Sequence, residues 1–207
     1  MSHNTASKHA ILAALGHSSI NQLNQKPDLS SLKSTTILPS ELINRFEKGL
    51  TSVTGELIYP DNANSIDLLK DNVAKLISQG MQVISLVDGI KGNQLMTTHP
   101  HELKHIDYAI MPARFAVAEN GAIWVDSEQL NGLNAKTHRV LPFICENLVL
   151  VLNKDNIVAT MHDAPAKMRL HVGDFGTFIA GPSKTADIEQ ALVVGAHGAF
   201  SLKVYLI

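Results

Sequence analysis

A glutamate beside a tight turn is the first group in this sequence that could carry covalent chemistry. Ala118-Glu119-Asn120-Gly121 lies between two strand-like segments, and Asn-Gly is the dipeptide most typical of a two-residue hairpin. The backbone of such a turn orients the carboxylate, which can then attack an activated acyl group and form an anhydride. Turn chemistry alone also explains Asn120 and Gly121, with Glu119 simply exposed. Both interpretations stay open on these residues.

A second candidate is the segment 181–198, GPSKTADIEQALVVGAHG. Gly181-Pro182 ends a strand, and we expect Ser183 or Thr185 to cap a following helix. The expected buried stripe of that helix runs up to a closing Gly195 and consists of Ile188, Ala191 and Leu192. The segment therefore predicts a capped helix start after a strand.

The same helix start is a candidate anion site, because free backbone amides there lie beside Lys184. It is not a P-loop, since no glycine precedes the lysine. Asp187 and Glu189 stabilise the helix dipole and would compete with a bound anion. Helix capping with packing, and an anion or ligand site, both stay open.

Two further groups have the residue types of a reactive site but a poor context. His101-Glu102-Leu103-Lys104-His105 matches the H-E-x-x-H zinc motif. A proline precedes it and a strand begins near residue 107, which leaves barely two turns of helix, and no third ligand is placed by a recognisable pattern. A short helix with solvated histidines is the preferred interpretation. Cys145 lies in the apolar stretch LPFICENLVLVL, which indicates a buried, inert thiol.

The elements that must position these residues follow an alternating pattern. Residues 66–80 have a helical apolar stripe closed by Gly80, and residues 40–46 open a helix after Pro39. Strands are predicted at the ranges 53–60, 81–88, 107–113, 146–153, 177–181 and 201–207, with a hairpin over 114–127. The run 146–153 suits a strand buried on both faces. Such alternation predicts a layered α/β domain with a mostly parallel sheet and a β-hairpin.

Ligands in such sheets bind beyond the carboxyl ends of the strands. The loop after the strand 177–181 and the hairpin tip 119–121 are therefore the predicted functional loops. Residues 1–50 are predicted as a helical or irregular appendage, in which 17–36 has weak periodicity, and 51–207 as the α/β domain.

The composition limits the classes of partner. The chain has 207 residues, a net charge of −2 and one cysteine. This charge gives no electrostatic reason to expect a nucleic acid or an anionic membrane. A single cysteine excludes an intramolecular disulfide and a four-cysteine cluster. The amino terminus is too weakly hydrophobic for a signal sequence, so a cytoplasmic protein without membrane insertion is expected.

The last third of the chain strongly resembles a known family. GTFIAGPSKTADIEQALVVGAHG followed by LKVYLI is similar to LUD-domain proteins of the lactate-utilisation protein C (YkgG-like) type. ELKHIDYAI, FAVAENGAIWV and RVLP also fit, so the resemblance covers roughly residues 80–207. It implies a three-layer fold like that of NagB, RpiA and CoA transferases.

The resemblance implies an accessory subunit of cytoplasmic L-lactate oxidation to pyruvate. The partners would be subunits that carry iron–sulfur clusters, since this chain has too few cysteines to hold one. No cofactor is expected in the chain itself, a small-ligand pocket is possible, and the oligomeric state, including a homo-oligomer, stays open.

The alternative is an enzyme that binds CoA or a nucleotide in a transferase-like pocket. Asn120 brings the tip close to the E-N-G signature of family I CoA transferases, whose glutamate accepts the acyl group, so Glu119 would be the nucleophile or base. His197 would be an acid or base, or form a structural hydrogen bond. The predicted ligand-binding residues are Gly121, Gly181, Ser183, Lys184, Thr185 and Asp187.

Overall fold

A computed structural model describes residues 3–16, 37–60, 64–97, 99–130, 139–185 and 193–207. The chain divides into two compact units, Met1–Lys33 and Ser34–Ile207. In the first unit the structure describes helix α1 (His3–Gly16), whose described side chains are exposed. The predicted irregular segment 17–36 lies outside the described residues.

The described helices and strands of the second unit alternate along the chain. The helices are α2 (Pro39–Ser52), α3 (Ser65–Ser78), α4 (Ser127–Leu130) and α5 (Leu141–Ile144). The strands are β1 (Glu56–Ile58), β2 (Val83–Ser85), β3 (Tyr108–Pro112), β4 (Phe115–Val117), β5 (Ala122–Asp126), β6 (Asn147–Leu152), β7 (Ile157–Val158), β8 (Gly176–Ile179), β9 (Lys184–Thr185), β10 (Val193–Val194) and β11 (Ser201–Leu206). Short 3-10 helices span Pro100–His105, Lys154–Asn156 and Ala164–Ala166.

The two long helices of this unit confirm the predicted periodicity. Helix α3 begins after Asn64, whose side-chain oxygen accepts a hydrogen bond from the Ile66 amide (2.9 Å), and buries Leu69 and Val73 one turn apart. Helix α2 has a proline in its first turn and buries Phe46 and Leu50 in the same way. The predicted domain boundary at residue 50 falls inside α2.

The larger sheet is parallel, with its five strands in the order β1-β11-β6-β3-β2. The central strand β6 alternates between the two faces of this sheet. Leu148, Leu150 and Leu152 pack on the inner face, whereas Val149 and Val151 pack with α3 on the outer face. The prediction of a strand buried on both sides is confirmed.

A second sheet has the order β7-β4-β5-β8 and contains the predicted hairpin β4–β5. Strand β8 pairs antiparallel with β5, and β7 pairs parallel with β4. One face of this sheet carries an aromatic cluster in which the Trp124 and Phe178 ring centroids are 4.8 Å apart. Its other face, with Ala116, Ile123 and Val125, packs into the same core as the inner face of the parallel sheet.

These contacts define the layers of the α/β unit. Helix α3 covers the outer face of the parallel sheet, and the second sheet together with α2 covers the inner face. The predicted layered α/β class with a mostly parallel central sheet is confirmed. The hairpin, however, belongs to a separate sheet, because β5 pairs with the distant strand β8.

A buried ion pair joins the two strands of the hairpin. Asp126 is 1% exposed and accepts hydrogen bonds from the Arg114 guanidinium and from the Trp124 indole N–H (3.0 Å). Burial favours the protonated carboxyl, but the bonds from Arg114 and Trp124 together outweigh it and lower the pKa of Asp126. The pKa of Arg114 is raised chiefly by its hydrogen bond to Asp126, against the effect of burial. The pair is therefore charged at neutral pH.

Candidate ligand site

The hairpin tip is a tight turn that requires a glycine. Gly121 has a φ of 69°, a conformation that favours a residue without a Cβ. The Asn120 side-chain oxygen accepts a hydrogen bond from the Ala122 amide (3.0 Å), which closes the turn locally. The predicted turn at Asn120-Gly121 is confirmed, but the connection has the four residues 118–121 rather than two, because Val117 pairs with Ala122.

The tip packs closely on the last turns of α2. A Cβ on Gly121 would lie 2.6 Å from the Leu50 Cα, and a Cβ on Gly49 would lie 2.7 Å from the Gly121 amide nitrogen. Two glycines thus let the helix backbone and the turn backbone touch. Helix α2 therefore holds the tip in place.

Glu119 is exposed at this tip and is held by the neighbouring loop. One carboxylate oxygen accepts a hydrogen bond from the Met161 amide (3.0 Å), and the Glu119 amide donates to the Ala159 carbonyl (3.1 Å). A carboxylate fixed by one backbone donor retains its second oxygen for another contact. The side chain is oriented as predicted for a residue beside a turn, and its proposed role as nucleophile stays a prediction.

The segment after β8 differs from its prediction. Lys184–Thr185 forms β9 and pairs antiparallel with β10 (Val193–Val194), so the predicted helix does not extend to Gly195. The Ser183 amide donates to the Ala199 carbonyl (2.8 Å), and the Gly195 amide donates to the Ser183 carbonyl (2.9 Å). Strand pairing therefore holds both ends of the segment, and the cap by Ser183 or Thr185 stays a prediction.

Residues 186–192 of the predicted helix lie outside the described residues. They include Asp187, which was predicted to belong to the anion site, and the expected stripe Ile188, Ala191 and Leu192.

Lys184 contacts the carboxyl end of α2. Its ammonium donates a hydrogen bond to the Val53 carbonyl (2.8 Å), which is the residue that ends the helix. A cation at this position satisfies a terminal carbonyl and interacts favourably with the helix dipole. Lys184 therefore connects the segment after β8 to α2, and the ammonium retains two further donors for a ligand.

Both candidate segments meet the same end of α2. Gly181 has a φ of 78°, and a Cβ there would overlap the Val53 carbonyl oxygen. Because Ile123 pairs with Ile179, continuing this antiparallel register places Gly121 opposite Gly181. The tip and the segment after β8 are thus neighbours across the end of the second sheet.

A cavity of about 290 Å³ opens beside the segment 181–184. Its polar groups come from Ser183, Lys184 and His197, and its lining also contains Phe143 and Gly198. Neither the Ser183 hydroxyl nor the His197 ring forms a hydrogen bond with another described residue. Ser183, Lys184 and His197 therefore line one small volume together. We call it the Ser183–His197 cavity.

The cavity lies at the amino ends of the parallel strands. Leu148 and Leu202, the second residues of β6 and β11, line it, and Ala199 lies just before β11. The end of α2 at Val53 likewise precedes β1. The two predicted loops follow the carboxyl ends of β4 and β8 in the second sheet rather than those of the parallel strands, and the place where a ligand binds stays a prediction.

The structure brings together part of the predicted site. Gly181, Ser183, Lys184 and His197 line the Ser183–His197 cavity. Glu119, Gly121 and Thr185 are not among its lining residues: the first two form the neighbouring tip, and Thr185 is half-buried in β9.

Two residues at the site were not predicted from the sequence. Phe143 is 41% exposed at the cavity, and its ring packs edge-on against Phe175, with the centroids 6.5 Å apart. The Val53 carbonyl holds Lys184. A backbone carbonyl leaves no signal in the side-chain pattern, whereas a phenylalanine after Leu-Pro at a short helix start could have been noticed.

The H-E-x-x-H match does not have zinc geometry. Residues Pro100–His105 form a 3-10 helix, in which residues four apart point about 120° apart around the axis, against about 40° in an α-helix. His101 and His105 are exposed, and Leu103 of the same helix is buried in the core. The predicted short helix with solvated histidines is confirmed.

Cys145 is buried, and burial raises the pKa of its thiol to about 12 against weaker backbone hydrogen bonds. We expect the thiol-specific reagent DTNB to label the native protein at pH 8 much more slowly than the protein in denaturant, where one thiol per chain reacts at once. Rapid native labelling at the rate of a free thiol would contradict the burial.

Fold and site together define an α/β protein of two packed sheets with a small cavity at the amino ends of its parallel strands. Within the described residues, no helix is long and apolar enough to cross a membrane. The sequence profile of the LUD domain matches residues 48–207. The chain therefore belongs to the LUD-domain family.

Individual relatives match over a shorter stretch. Lactate utilization protein C of Bacillus pumilus is 32% identical over 97 residues, which are 44% of this chain and 38% of the relative. Lactate utilization protein C of Anoxybacillus flavithermus is 36% identical over 83 residues, which are 40% of this chain and 35% of the relative. The matches thus span less than two fifths of the length of these relatives.

A solved structure has the same fold. The crystal structure of a DUF162 family protein from Deinococcus radiodurans superposes with a TM-score of 0.55 at 19% identity. The superposition covers 83% of this chain and 99% of that chain. The two sheets and their helices are therefore an arrangement shared across a wide sequence distance.

Proposed function

We propose that this chain is an accessory subunit of L-lactate utilisation that binds a small carboxylate in the Ser183–His197 cavity. Membership of the LUD-domain family and the similarity to relatives named lactate utilization protein C support the pathway. The convergence of Ser183, Lys184 and His197 on one cavity is the observation that carries the ligand assignment.

The size of the cavity favours a small metabolite. Its volume of about 290 Å³ is at the lower limit of the roughly 300–1,000 Å³ typical of sites that enclose a drug-sized ligand. A carboxylate of three carbons fits within it, whereas a whole CoA molecule is much larger. The lining combines hydrogen-bond donors for a carboxylate with apolar groups of Phe143 and Pro182 that would contact a methyl group.

Oxidation of lactate to pyruvate removes two electrons and two protons, so an electron acceptor is required. This chain has one cysteine and cannot supply the ligands of an iron–sulfur cluster. We therefore assign electron transfer to partner subunits that carry such clusters, with this chain presenting or sensing the carboxylate.

The CoA-transferase alternative stays a prediction with less support. Glu119 does not line the Ser183–His197 cavity, and one of its carboxylate oxygens is used by the Met161 amide. That enzyme would need an acyl group delivered to the tip from outside the cavity.

Ligand binding is tested by thermal unfolding and calorimetry with L-lactate, pyruvate, CoA and ATP. We expect lactate or pyruvate to raise the melting temperature in proportion to occupancy. Ser183→Ala and His197→Ala should each weaken binding about tenfold, because each removes a hydrogen bond to a charged ligand. His171→Ala, at an exposed histidine paired with Asp174, is the matched control and should bind normally.

Stabilisation by CoA alone, weakened by Glu119→Gln, would replace this function with the transferase. No stabilisation by any of the four ligands would reject the carboxylate site.

The partner assignment is tested separately by affinity purification from cells grown on lactate. Co-purification of iron–sulfur proteins and loss of growth on lactate after deletion of the gene are the expected results. Normal growth on lactate in the deletion strain would contradict the pathway, whatever the ligand experiments show.

A further inference from the structure

A second cavity, of about 260 Å³, lies between α3 and the outer face of the parallel sheet. Helix α3 contributes one wall with Asn72, Lys75 and Leu76, and strands β3, β6 and β11 contribute the other. It lies on the opposite face of the sheet from the core that contains α2, and no residue lines both cavities. We call it the Tyr205 cavity.

The floor of the Tyr205 cavity is apolar. Ile110 and Val149 are register neighbours on β3 and β6, and both are almost fully buried there. The rings of Tyr108 and Tyr205 add aromatic surface to the same lining. Such a surface favours the hydrocarbon part of a ligand, since burial of apolar area is the main source of affinity for a small molecule.

A buried hydroxyl in this lining has a donor to spare. Tyr205 is 3% exposed, and its hydroxyl oxygen accepts a hydrogen bond from the Asn72 amide (2.8 Å). The hydroxyl proton has no acceptor among the described residues. A ligand oxygen at this position would accept the hydroxyl proton.

The charges around the Tyr205 cavity favour an anion. Lys203 forms an ion pair with Glu56 (3.1 Å), which leaves that pair neutral. Lys75 also lines the cavity and forms no ion pair with any described residue. The lining therefore contains a lysine that forms no ion pair with a described residue, together with the Tyr205 hydroxyl donor.

We propose that the Tyr205 cavity binds a small organic acid with an apolar body, whose carboxylate meets the Tyr205 hydroxyl and the Lys75 ammonium. At about 30 Å³ for each water-sized group, the cavity accommodates roughly nine heavy atoms. Benzoate and hexanoate have this size and chemistry. This site is independent of the carboxylate site proposed above.

The proposal is tested by titrating the full chain with benzoate and hexanoate and recording the amide chemical shifts by NMR. We expect saturable shifts at α3, β3 and β11 around the Tyr205 cavity. Benzyl alcohol, which has the ring without the charge, should bind more weakly. Lactate should leave these amides unchanged, because a three-carbon acid lacks the apolar body.

Two variants test the named contacts. Lys75→Gln should weaken benzoate binding about two- to fivefold, the effect of one exposed charge. Tyr205→Phe should weaken it about tenfold through the lost hydrogen bond to a carboxylate. Lys70→Gln, on the same helix but paired with Asp67 outside the cavity, is the matched control and should bind normally.

Three outcomes would overturn the assignment: absence of saturable binding at millimolar benzoate, shifts located away from the Tyr205 cavity, or equal losses in Lys75→Gln and Lys70→Gln. Loss of benzoate binding in Ser183→Ala or His197→Ala is a fourth such outcome, because it would assign the acid to the Ser183–His197 cavity. If lactate does not bind in the Ser183–His197 cavity, the results expected for benzoate in the Tyr205 cavity stay the same. The two proposals can therefore be rejected independently.

Discussion

Gly181→Ala is expected to lower the free energy of unfolding by about 2–5 kcal/mol. Two costs add at this position. The backbone has a φ of 78°, where an alanine is strained, and the new Cβ would overlap the Val53 carbonyl oxygen. The Val53 carbonyl oxygen cannot move away at low energetic cost, because Val53 ends α2 and this oxygen also accepts a hydrogen bond from the Lys184 ammonium (2.8 Å). Chemical denaturation measures the change.

Gly173→Ala is the matched control for this prediction. Gly173 also has a positive φ, of 95°, but a Cβ there has nothing within 4 Å. Its substitution should cost only the conformational part, about 1–2 kcal/mol. Equal losses in the two variants would show that the contact of Gly181 with α2 is not tight. A larger loss of unfolding free energy in Gly181→Ala, together with weaker lactate binding, would indicate that contact with the end of α2 stabilises the Ser183–His197 cavity.

Asp126→Ala is expected to destabilise the protein by about 3–5 kcal/mol, the usual cost of removing one partner from a buried ion pair. The change leaves the Arg114 guanidinium, only 14% exposed, without its buried counter-ion, and the Trp124 N–H without its acceptor. It also removes the side chain that accepts from the Glu128 amide (3.2 Å) at the start of α4.

Glu128→Ala removes a second carboxylate from the same guanidinium and serves as the control. Glu128 is 69% exposed, so its loss should cost no more than about 1 kcal/mol. Similar losses of unfolding free energy in Asp126→Ala and Glu128→Ala would show that the buried ion pair contributes no more to stability than the exposed one.

The Asp126 pair also predicts a dependence of stability on pH. The pKa of Asp126 is lower in the folded chain than in the unfolded one, so its contribution is fully present above about pH 4. It should be lost as the pH falls through the lowered folded pKa, because the unfolded chain binds the proton first. Denaturation of wild type and Asp126→Ala between pH 6 and pH 2 should therefore converge toward low pH. Parallel curves would contradict the lowered pKa.

Local features of the structure followed from local patterns in the sequence. The stripe in 66–80 predicted α3 because apolar residues three and four apart share one helix face. The run 146–153 predicted a doubly buried β6, and Asn120-Gly121 predicted the turn between β4 and β5. Each of these depends on residues a few positions apart, which propensity and periodicity describe well.

Strand pairing decided one feature that the local pattern predicted wrongly. The apolar stripe predicted a helix up to Gly195, yet Val193–Val194 forms β10 and pairs with Lys184–Thr185, and the Ser183 amide bonds to the Ala199 carbonyl. Such pairing depends on backbone partners that a helical pattern does not describe.

The sequence by itself determined the class of fold, the family, the tight turn at Gly121 and the inert environment of Cys145. Tertiary structure alone decided that the hairpin joins β8 in a second sheet and that Gly121 and Gly181 meet α2. It also decided that Ser183, Lys184 and His197 share a cavity without Glu119. The reason is physical: turns and apolar stripes are set by near neighbours, whereas a cavity is set by how distant backbones approach each other.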